Sequence, residues 1–418
     1  MQVIIVGGGI AGLSLALSLH QIGVACRVYE AVPSLAPLGY GINLQPNAVR
    51  ELTALGLDDE LGAAGILTQE LAFYNKHGQL IWSEPRGRAA GYRWPQISIS
   101  RRRLHEILLD AIHARLGAQA VVTGHRLTDF GERGGRVIAR FADPAGEPAG
   151  EAEGDLLIGA DGIHSTVRRQ FYPGETAVFD GYLHYRGMVE AEPYLTGASM
   201  VVIGHRQHRA ILYPIMQRPA GKVVINWLAY TRIPPGGPPL EAWNTAADKG
   251  ACVAQYQGWS FPWIDVHGLF AATAEVLQLP NVDRDPVPRW SFGRVTLIGD
   301  AAHPMHPVGA QAGSQAVVDG RVLAAALLAT RDPVVALANY QDRRIAAMND
   351  IIIRNRNLGL ESILQTAEER APEGFTHIHD VLSPEELATT ALSFKQAAGL
   401  DVETVNSRES FVEPAAQA

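Results

Sequence analysis

Glycines near the start of the chain have the spacing of a phosphate-binding turn. Gly7, Gly9 and Gly12 form the pattern G-x-G-x-x-G between an apolar run and a segment with helical apolar spacing. The first glycine permits a tight bend, the second lets a pyrophosphate approach the backbone, and the third lets helix and strand pack closely. Glu30 ends a second apolar run, where it can bind ribose hydroxyl groups. The pattern predicts dinucleotide binding; a glycine-rich turn without a ligand is the alternative.

Two aspartates follow apolar runs further along the chain. Asp161 and Gly162 form an Asp-Gly turn after one run, and Gly299 and Asp300 follow another. Acids at the carboxyl ends of strands in an α/β sheet point into the crevice where ligands bind. Either aspartate alone is typical of a capped turn, but three such turns in one chain indicate a nucleotide site.

A βαβ unit must position the first turn. Residues 2–6 and 25–29 are apolar enough for buried strands, and residues 12–21 have helical spacing between them. Further helices are predicted over 46–55 and 102–116, each closed by a glycine, and a hairpin over 71–83. The loop between strands 136–141 and 155–158 is predicted over 143–154, which is rich in Pro, Gly and Glu.

Aromatic and β-branched residues alternate in short runs between about residues 180 and 290, which predicts an antiparallel sheet. The fold class is therefore predicted to be α/β: a Rossmann-like nucleotide-binding βαβ domain with an inserted antiparallel-sheet substrate domain and a C-terminal helical region. The predicted ranges are 1–70, 100–178 and 281–330 for the nucleotide-binding domain, 71–99 and 179–280 for the sheet domain, and 331–418 for the helical region. The C-terminal helices are expected to cover the nucleotide-binding domain or the second subunit of a homodimer.

Composition excludes several classes of protein. The chain has 418 residues and a formal net charge of -8, which disfavours nucleic acid as a partner. No window reaches the ~18 uncharged apolar residues that a membrane span needs. Cys26 and Cys252 are too few for a disulfide framework, which favours a cytoplasmic location. No histidine, cysteine or carboxylate cluster has the spacing of a metal site, and the pair His303 and His306 lacks a carboxylate at ligand spacing.

In order and spacing, the three turns resemble the fingerprints of group A FAD-dependent aromatic monooxygenases, the para-hydroxybenzoate and salicylate hydroxylase family. The resemblance covers residues 1 to about 345. Segments 37–46, 82–87 and 282–286 are similar to those of members that act on phenazine carboxylates.

The resemblance implies FAD as cofactor and NADH or NADPH as a transient co-substrate without a domain of its own. It implies O2 as the oxidant and a flavin C4a-hydroperoxide that hydroxylates a small aromatic substrate. The implied FAD-binding residues are Gly7, Gly9, Gly12, Glu30, Arg101, Asp161, Asp300 and Gly313. The family pattern P-x-x-G-Q-G is altered here, with Ala310 and Ala312 at its glycine positions. Both alanines disfavour positive φ, so a different loop path is expected, with Gly313 nearest the flavin.

The inserted sheet is expected to bind the substrate. Arg209 and Tyr213 share one face of a predicted strand, and by resemblance both positions face the substrate. A buried arginine there suits an aromatic carboxylate, whereas the alternative is a structural ion pair with an acid on a neighbouring strand. Arg186 is a weaker candidate. Asn226 and Trp227 lie on opposite faces of the next strand, and Asn226 is favoured.

Pro307, with His306, is expected over the reacting face of the flavin. A neutral His306 suits a general base that deprotonates a phenol, and a histidine held by backbone groups is the alternative. Four activities stay open from sequence: decarboxylating hydroxylation, simple hydroxylation of a phenol or N-heteroaromatic, a flavoprotein that does not oxygenate, and an NAD-dependent dehydrogenase.

Overall fold

The computed structural model describes residues 1–35, 39–233, 245–357, 361–397 and 399–413. Some predictions fall partly outside these ranges, namely residues 37 and 38 of the segment 37–46, residues 234–244 of the predicted sheet domain, and residues 358–360, 398 and 414–418 of the predicted C-terminal region.

The secondary structure alternates between the two predicted kinds of region. The strands are β1 (Gln2–Val6), β2 (Ala25–Tyr29), β3 (Gly41–Leu44), β4 (Ile66–Thr68), β5 (Glu70–Tyr74), β6 (Leu80–Pro85), β7 (Gln96–Ser100), β8 (Val121–Val122), β9 (Arg126–Arg133), β10 (Arg136–Ala142), β11 (Pro148–Gly154), β12 (Leu156–Gly159), β13 (Val178–Ala191), β14 (Ser199–Gly204), β15 (His208–Gln217), β16 (Val223–Arg232), β17 (Thr245–Ala246), β18 (Leu277–Asp283) and β19 (Val295–Leu297). The α-helices are α1 (Ile10–Gln21), α2 (Pro46–Ala54), α3 (Asp58–Ala64), α4 (Arg101–Leu116), α5 (Thr166–Phe171), α6 (Lys249–Ala254), α7 (Val266–Ala272), α8 (Ala312–Ala329), α9 (Pro333–Arg356), α10 (Ser362–Arg370), α11 (Pro384–Ala397) and α12 (Val402–Ser407).

A five-stranded sheet in the order β19-β12-β1-β2-β8 holds the three glycine-containing turns. All of its pairs are parallel, so the carboxyl ends of β1, β12 and β19 meet at one edge. Helices α1 and α8 pack together against this sheet, and a side chain at Gly320 would meet the backbone of Leu15 at 3.1 Å. The segment Val308–Ala329 is long and apolar enough to cross a membrane, with a mean hydropathy of 1.2. Because 72% of it is buried inside the protein, it has the burial of a core helix.

An eight-stranded sheet in the order β17-β18-β13-β16-β15-β14-β5-β6 forms the inserted region. Its neighbouring strands are antiparallel except for β14 and β5, which run parallel. Alternation along the strands separates two buried faces. One face carries Leu212 and Trp227 and packs against α6 and α7. The other carries Ile211, Tyr213 and Tyr230 and is partly covered by α10 and α11.

Two details of the sequence prediction were wrong. Strand β11 occupies much of the predicted loop 143–154, because its backbone pairs with β10 although its side chains are small or acidic. Helices α10 and α11 pack on the eight-stranded sheet, because Leu364 and Leu387 bury against it, whereas α9 covers the nucleotide-binding domain as expected. Strand β7 lies in a separate sheet of order β3-β7-β4.

The C-terminal segment 401–413 is anchored by a buried carboxylate on α2. Glu51 accepts hydrogen bonds from Arg50 Nε at 2.8 Å and Arg321 Nε at 3.2 Å. The same carboxylate accepts from Ser410 Oγ at 2.6 Å and from the Phe411 N–H at 3.3 Å. Both Glu51 and Arg321 are fully buried. The cluster therefore joins the end of the chain to the nucleotide-binding domain.

Candidate active site

The first glycine turn is tightly packed at two of its three glycines. Gly7 has φ +108°, and a Cβ there would lie 2.3 Å from Ala160 O. A Cβ at Gly12 would lie 2.0 Å from Gly7 O, so only glycine lets α1 approach the turn. Gly9, by contrast, precedes α1, and apart from its chain neighbours no atom of the described residues lies within 4 Å of a Cβ position there. The turn leaves space at the positive end of a helix dipole, where an anion binds.

Glu30 holds the turn from the end of β2. Its Oε2 accepts the Gly8 N–H at 2.7 Å, and its Oε1 accepts the Val32 N–H at 2.9 Å. Both oxygens keep capacity for a further hydrogen bond. Glu30 therefore lies beside the glycine turn in the place that a ribose-binding acid requires.

Asp300 lies after β19 at the rim of a cavity. Asp319 of α8 stabilises the turn around Asp300. Its Oδ2 accepts the Gly299 N–H at 2.9 Å and contacts His303 Nε2 at 2.5 Å. Its Oδ1 pairs with Arg344 Nε at 2.8 Å. Burial alone would raise the pKa of Asp319, but His303 and Arg344 reverse this and lower it. The charged network fixes the turn that presents Asp300.

Asp161 lies between Ala160 and Gly162, which line the cavity, but does not line it itself. Its carboxylate accepts hydrogen bonds from Ser165 Oγ at 2.5 Å and from the Thr166 N–H at 2.7 Å. Burial raises the pKa of Asp161, and these bonds oppose the rise. Gly162, rather than Asp161, lines the cavity. The carboxylate thus serves the N-terminus of α5, as in a capped turn, although the backbone of Asp161 lies beside Gly7, where a Cβ would be 3.0 Å from the Asp161 Cα.

The loop after Asp300 holds one of its two alanines in a backbone conformation that favours glycine. Ala310 has φ +52° and Gly309 has φ +68°, so Ala310 takes up a left-handed conformation that glycine adopts more easily. Ala312 and Gly313 form the first turn of α8. Ala310 therefore has the positive φ that an alanine disfavours, and the expected change of loop path stays a prediction. Pro307, Ala310 and Gly313 all line the cavity.

A cavity of about 260 Å³ lies between these turns and the eight-stranded sheet. Its nucleotide-binding side is lined by Gly9, Ile10, Ala11, Arg101, Ala160, Gly162, Asp300, Pro307, Ala310, Gln311, Ala312, Gly313 and Ala316. Its other side is lined by Tyr40, Gly41, Ile42, Asn43, Arg186, Met200, Ile211, Tyr213, Asn226, Leu228 and Tyr230.

Arg186 is the arginine that reaches the cavity from the sheet. Its guanidinium lies 5.4 Å from the ring centroid of Tyr40, and no carboxylate of the described residues lies within ion-pair distance of it. Burial and the nearby Arg101 lower the pKa of Arg186, and neighbouring tyrosines oppose this. Its Nε has no hydrogen-bond partner in the described part of the chain. An anionic ligand would supply the missing partner.

Two further buried donors lie near Arg186 on the neighbouring strand. Arg186 is opposite Leu228, so Asn226 and Tyr230 are its diagonal neighbours and point to the same face. Asn226 Nδ2 and the Tyr230 hydroxyl have no hydrogen-bond partner among the described residues. Asn226 Oδ1 accepts the Gly41 N–H at 2.7 Å. Arg186, Asn226 and Tyr230 thus present hydrogen-bond donors to the cavity around the apolar side chains of Ile211 and Leu228. A bound ligand can accept from these donors.

Arg209 does not line the cavity. Its Nε lies 2.7 Å from Glu361 Oε2, and both side chains are buried. Its guanidinium stacks on Tyr230, 4.2 Å from the ring centroid. The structure thus pairs Arg209 as the ion-pair alternative proposed, except that the acid comes from the C-terminal region rather than from a neighbouring strand. Tyr213, on the same face of β15, does line the cavity.

His306 lies behind Pro307, outside the cavity lining. Its Nδ1 is 3.6 Å from Asp180 Oδ2, and its Nε2 is 3.6 Å from Asp283 Oδ2. Asp283 also forms two 2.8 Å contacts with Arg356. Burial lowers the pKa of His306, although both aspartates oppose the shift. This imidazole therefore lies between two aspartates and does not line the cavity.

The structure therefore brings Gly9, Arg101, Tyr213, Asp300, Pro307 and Gly313 to one cavity, while Arg209 and His306 lie behind its walls and Asp161 serves α5. Sequence reasoning ranked Arg186 too low and did not single out Tyr230. The signal for both was the alternation of β13 and β16, which places them on the face of Asn226.

The residues present fit FAD. Gly9 leaves the approach to the N-terminus of α1 open, Glu30 stands beside the turn, and Arg101 is exposed and forms no ion pair with a described carboxylate. Residues 1–354 match the family described as FAD binding domain. The chain belongs to this family and is an FAD-dependent aromatic monooxygenase, a class in which NAD(P)H is the usual co-substrate.

Particular relatives share most of their length with this chain. The phenazine 1,6-dicarboxylic acid hydroxylase PhzS of Lysobacter antibioticus is 40% identical over 366 residues, which cover 85% of this chain and 89% of the relative. The 3-amino-4-hydroxybenzoate 2-monooxygenase PtmB3 of Streptomyces platensis is 33% identical, covering 86% and 88%. The structure of Klebsiella pneumoniae HpxO with FAD and uric acid has a TM-score of 0.74 at 26% identity, covering 97% and 96%.

Proposed function

We propose that this chain is an FAD-dependent, NAD(P)H-consuming hydroxylase of an aromatic carboxylate. The observation that carries the proposal is Arg186, a half-buried cation with a buried Nε and no acidic partner in the described chain, which faces the loops that would hold the flavin. Charge-assisted hydrogen bonds from arginine to a carboxylate are strong and directional. The names of two relatives, which act on a phenazine dicarboxylic acid and a hydroxybenzoate, support the same substrate class.

FAD would be held by the turns at the edge of the parallel sheet. Gly9 would face the pyrophosphate, Glu30 the adenosine ribose, and Arg101 the phosphates, with Asp300 beside the ribityl chain and Gly313 beside the ring. When bound, the flavin supplies the activation of O2 by electrons taken from NAD(P)H. The protein contributes binding, orientation and exclusion of water.

The sheet side of the cavity would hold the substrate against that ring. Arg186 would bind the carboxylate, and Asn226 and Tyr230 would donate to acceptors on the ring system. Ile211 and Leu228 form an apolar floor between the donors. Pro307 lines the opposite side of the cavity, where it would exclude water from the reacting atoms. We place the enzyme in the cytoplasm, where NAD(P)H is available.

We predict that alanine at Gly9 and at Gly12 will have different effects. Gly9 has φ -78° and open space around it, so Gly9→Ala should weaken FAD binding at least about tenfold and change stability by less than ~0.5 kcal/mol. Gly12→Ala should destabilise the protein by ~1–3 kcal/mol, because its Cβ would overlap Gly7 O. Flavin titration and urea unfolding of both variants measure these effects. Equal losses of stability would contradict the assignment of Gly9 to the pyrophosphate.

The activity test is oxidation of NAD(P)H by the purified flavoprotein in the presence of aromatic carboxylates, phenols and N-heteroaromatics. We expect phenazine-1-carboxylate to stimulate oxidation and to gain one oxygen atom. Product mass separates simple hydroxylation from the decarboxylating reaction, since only the latter loses CO2. Loss of CO2 would also mean that Arg186 must release its anionic partner during turnover. If no aromatic acid is oxygenated, the proposed function is wrong.

A further inference from the structure

Two arginines lie on the cavity-facing side of the eight-stranded sheet, and they differ in their surroundings. Arg186 has no acidic partner among the described residues. Arg209 is opposite Tyr230 on the neighbouring strand, and Glu361 lies 2.7 Å from its Nε. Only 1% of Arg209 and 5% of Glu361 is exposed. The charge of Arg186 is thus available to a ligand in the cavity. The charge of Arg209, which lies behind Tyr230, is neutralised by Glu361.

The part of the cavity near Tyr230 presents no net positive charge to an anion, because Glu361 neutralises Arg209 behind it. Tyr230 separates Arg209 from the cavity and stacks on its guanidinium at 4.2 Å. Asp180 is close enough to Arg209 to interact with it electrostatically and adds further negative charge. A carboxylate placed near Tyr230 would lose its hydration without gaining a counter-ion, which is costly. An uncharged acceptor there would still satisfy the Tyr230 hydroxyl.

We infer that Glu361 sets the charge selectivity of the cavity, so that the enzyme prefers an aromatic monocarboxylate to a dicarboxylate of the same outline. Glu361 acts through Arg209 and is a specificity-determining residue rather than a catalytic one. The inference rests on the proposed function, in which Arg186 binds one carboxylate. The inference goes beyond the proposed function because it states that the end of the substrate opposite the carboxylate is uncharged. Such selectivity depends on an interaction that disfavours the competing ligand, here the second carboxylate of the dicarboxylate, which would be buried near Tyr230 without a counter-ion.

The test compares binding of phenazine-1-carboxylate and phenazine-1,6-dicarboxylate to the FAD-loaded enzyme at pH 8, by flavin absorbance titration without NAD(P)H. The wild-type enzyme should bind the monocarboxylate about tenfold or more tighter. Glu361→Gln should reduce that preference about tenfold, because Arg209 becomes available to the second carboxylate. Arg209→Gln should increase it, because Glu361 then stands uncompensated. The control Glu368→Gln removes a carboxylate on the same helix that pairs with Lys76 at 2.6 Å and should leave the preference unchanged.

The outcomes separate this inference from the proposed function. If both acids bind and Glu361→Gln leaves their ratio unchanged, or if the wild type prefers the dicarboxylate, the inference is wrong and the proposed function stands. If neither acid binds the wild type, the inference is wrong, and the oxygenation of other aromatic carboxylates decides the proposed function. Should Glu361→Gln fail to fold, the double variant Arg209→Gln/Glu361→Gln keeps the cavity's charge and must keep the wild-type preference. A double variant that prefers the dicarboxylate would overturn the role of the pair.

Discussion

Replacing Arg186 with glutamine is expected to raise the dissociation constant of phenazine-1-carboxylate about 100-fold, or ~2.7 kcal/mol. Arg186 is a half-buried cation that reaches the cavity without an acidic partner among the described residues. Its removal leaves the substrate carboxylate dehydrated and unpaired. FAD binding should change less than threefold, because the flavin would be held by turns on the opposite side. Flavin absorbance titrations with FAD and with the acid measure both constants.

Arg218→Gln is the matched control for this prediction. Arg218 follows β15 but is 45% exposed, and its nearest acidic partner, Glu190, is 3.7 Å away at the surface. Surface pairs of this kind contribute ~0–1 kcal/mol, so the control should bind the acid as the wild type does. Equal binding by Arg186→Gln and the wild type would show that the carboxylate is held elsewhere, with Arg209 the next residue to test.

Local patterns were enough to predict much of the fold. The helices predicted over 46–55 and 102–116 correspond to α2 and α4. Gly56 and Gly117, which follow them, have φ +69° and +87°. Gly78, with φ +75°, forms the predicted hairpin turn. Each of these signals depends on residues adjacent in sequence, since apolar spacing and glycine placement determine where a helix or strand ends.

The substrate side of the cavity depends on contacts that no local pattern contains. Arg186 and Arg209 both occupy cavity-facing positions by the period of two, so alternation cannot rank them. Their difference arises from Glu361, which reaches Arg209 from the far end of the chain. Ala310 shows the same limit for the backbone: an alanine argues against positive φ, yet the surrounding loop imposes φ +52°.

Glu51→Gln is expected to destabilise the protein by ~3–5 kcal/mol. Glu51 is fully buried and contacts both Arg50 and Arg321, so removal of its charge leaves two buried guanidinium groups without a carboxylate in the cluster. The same carboxylate holds Ser410. The free energy of unfolding from urea titration of the FAD-loaded protein measures the loss.

The matched control is Glu153→Gln, which removes a half-exposed carboxylate 3.2 Å from Arg136 and should cost less than ~1 kcal/mol. Trypsin provides a second measurement, because Arg408 is exposed in the C-terminal segment that Glu51 anchors. Cleavage after Arg408 should be faster in Glu51→Gln than in the control. If unfolding free energy and cleavage rate both match the wild type, the C-terminal segment is held by apolar contacts, with the burial of Val412 as the first candidate.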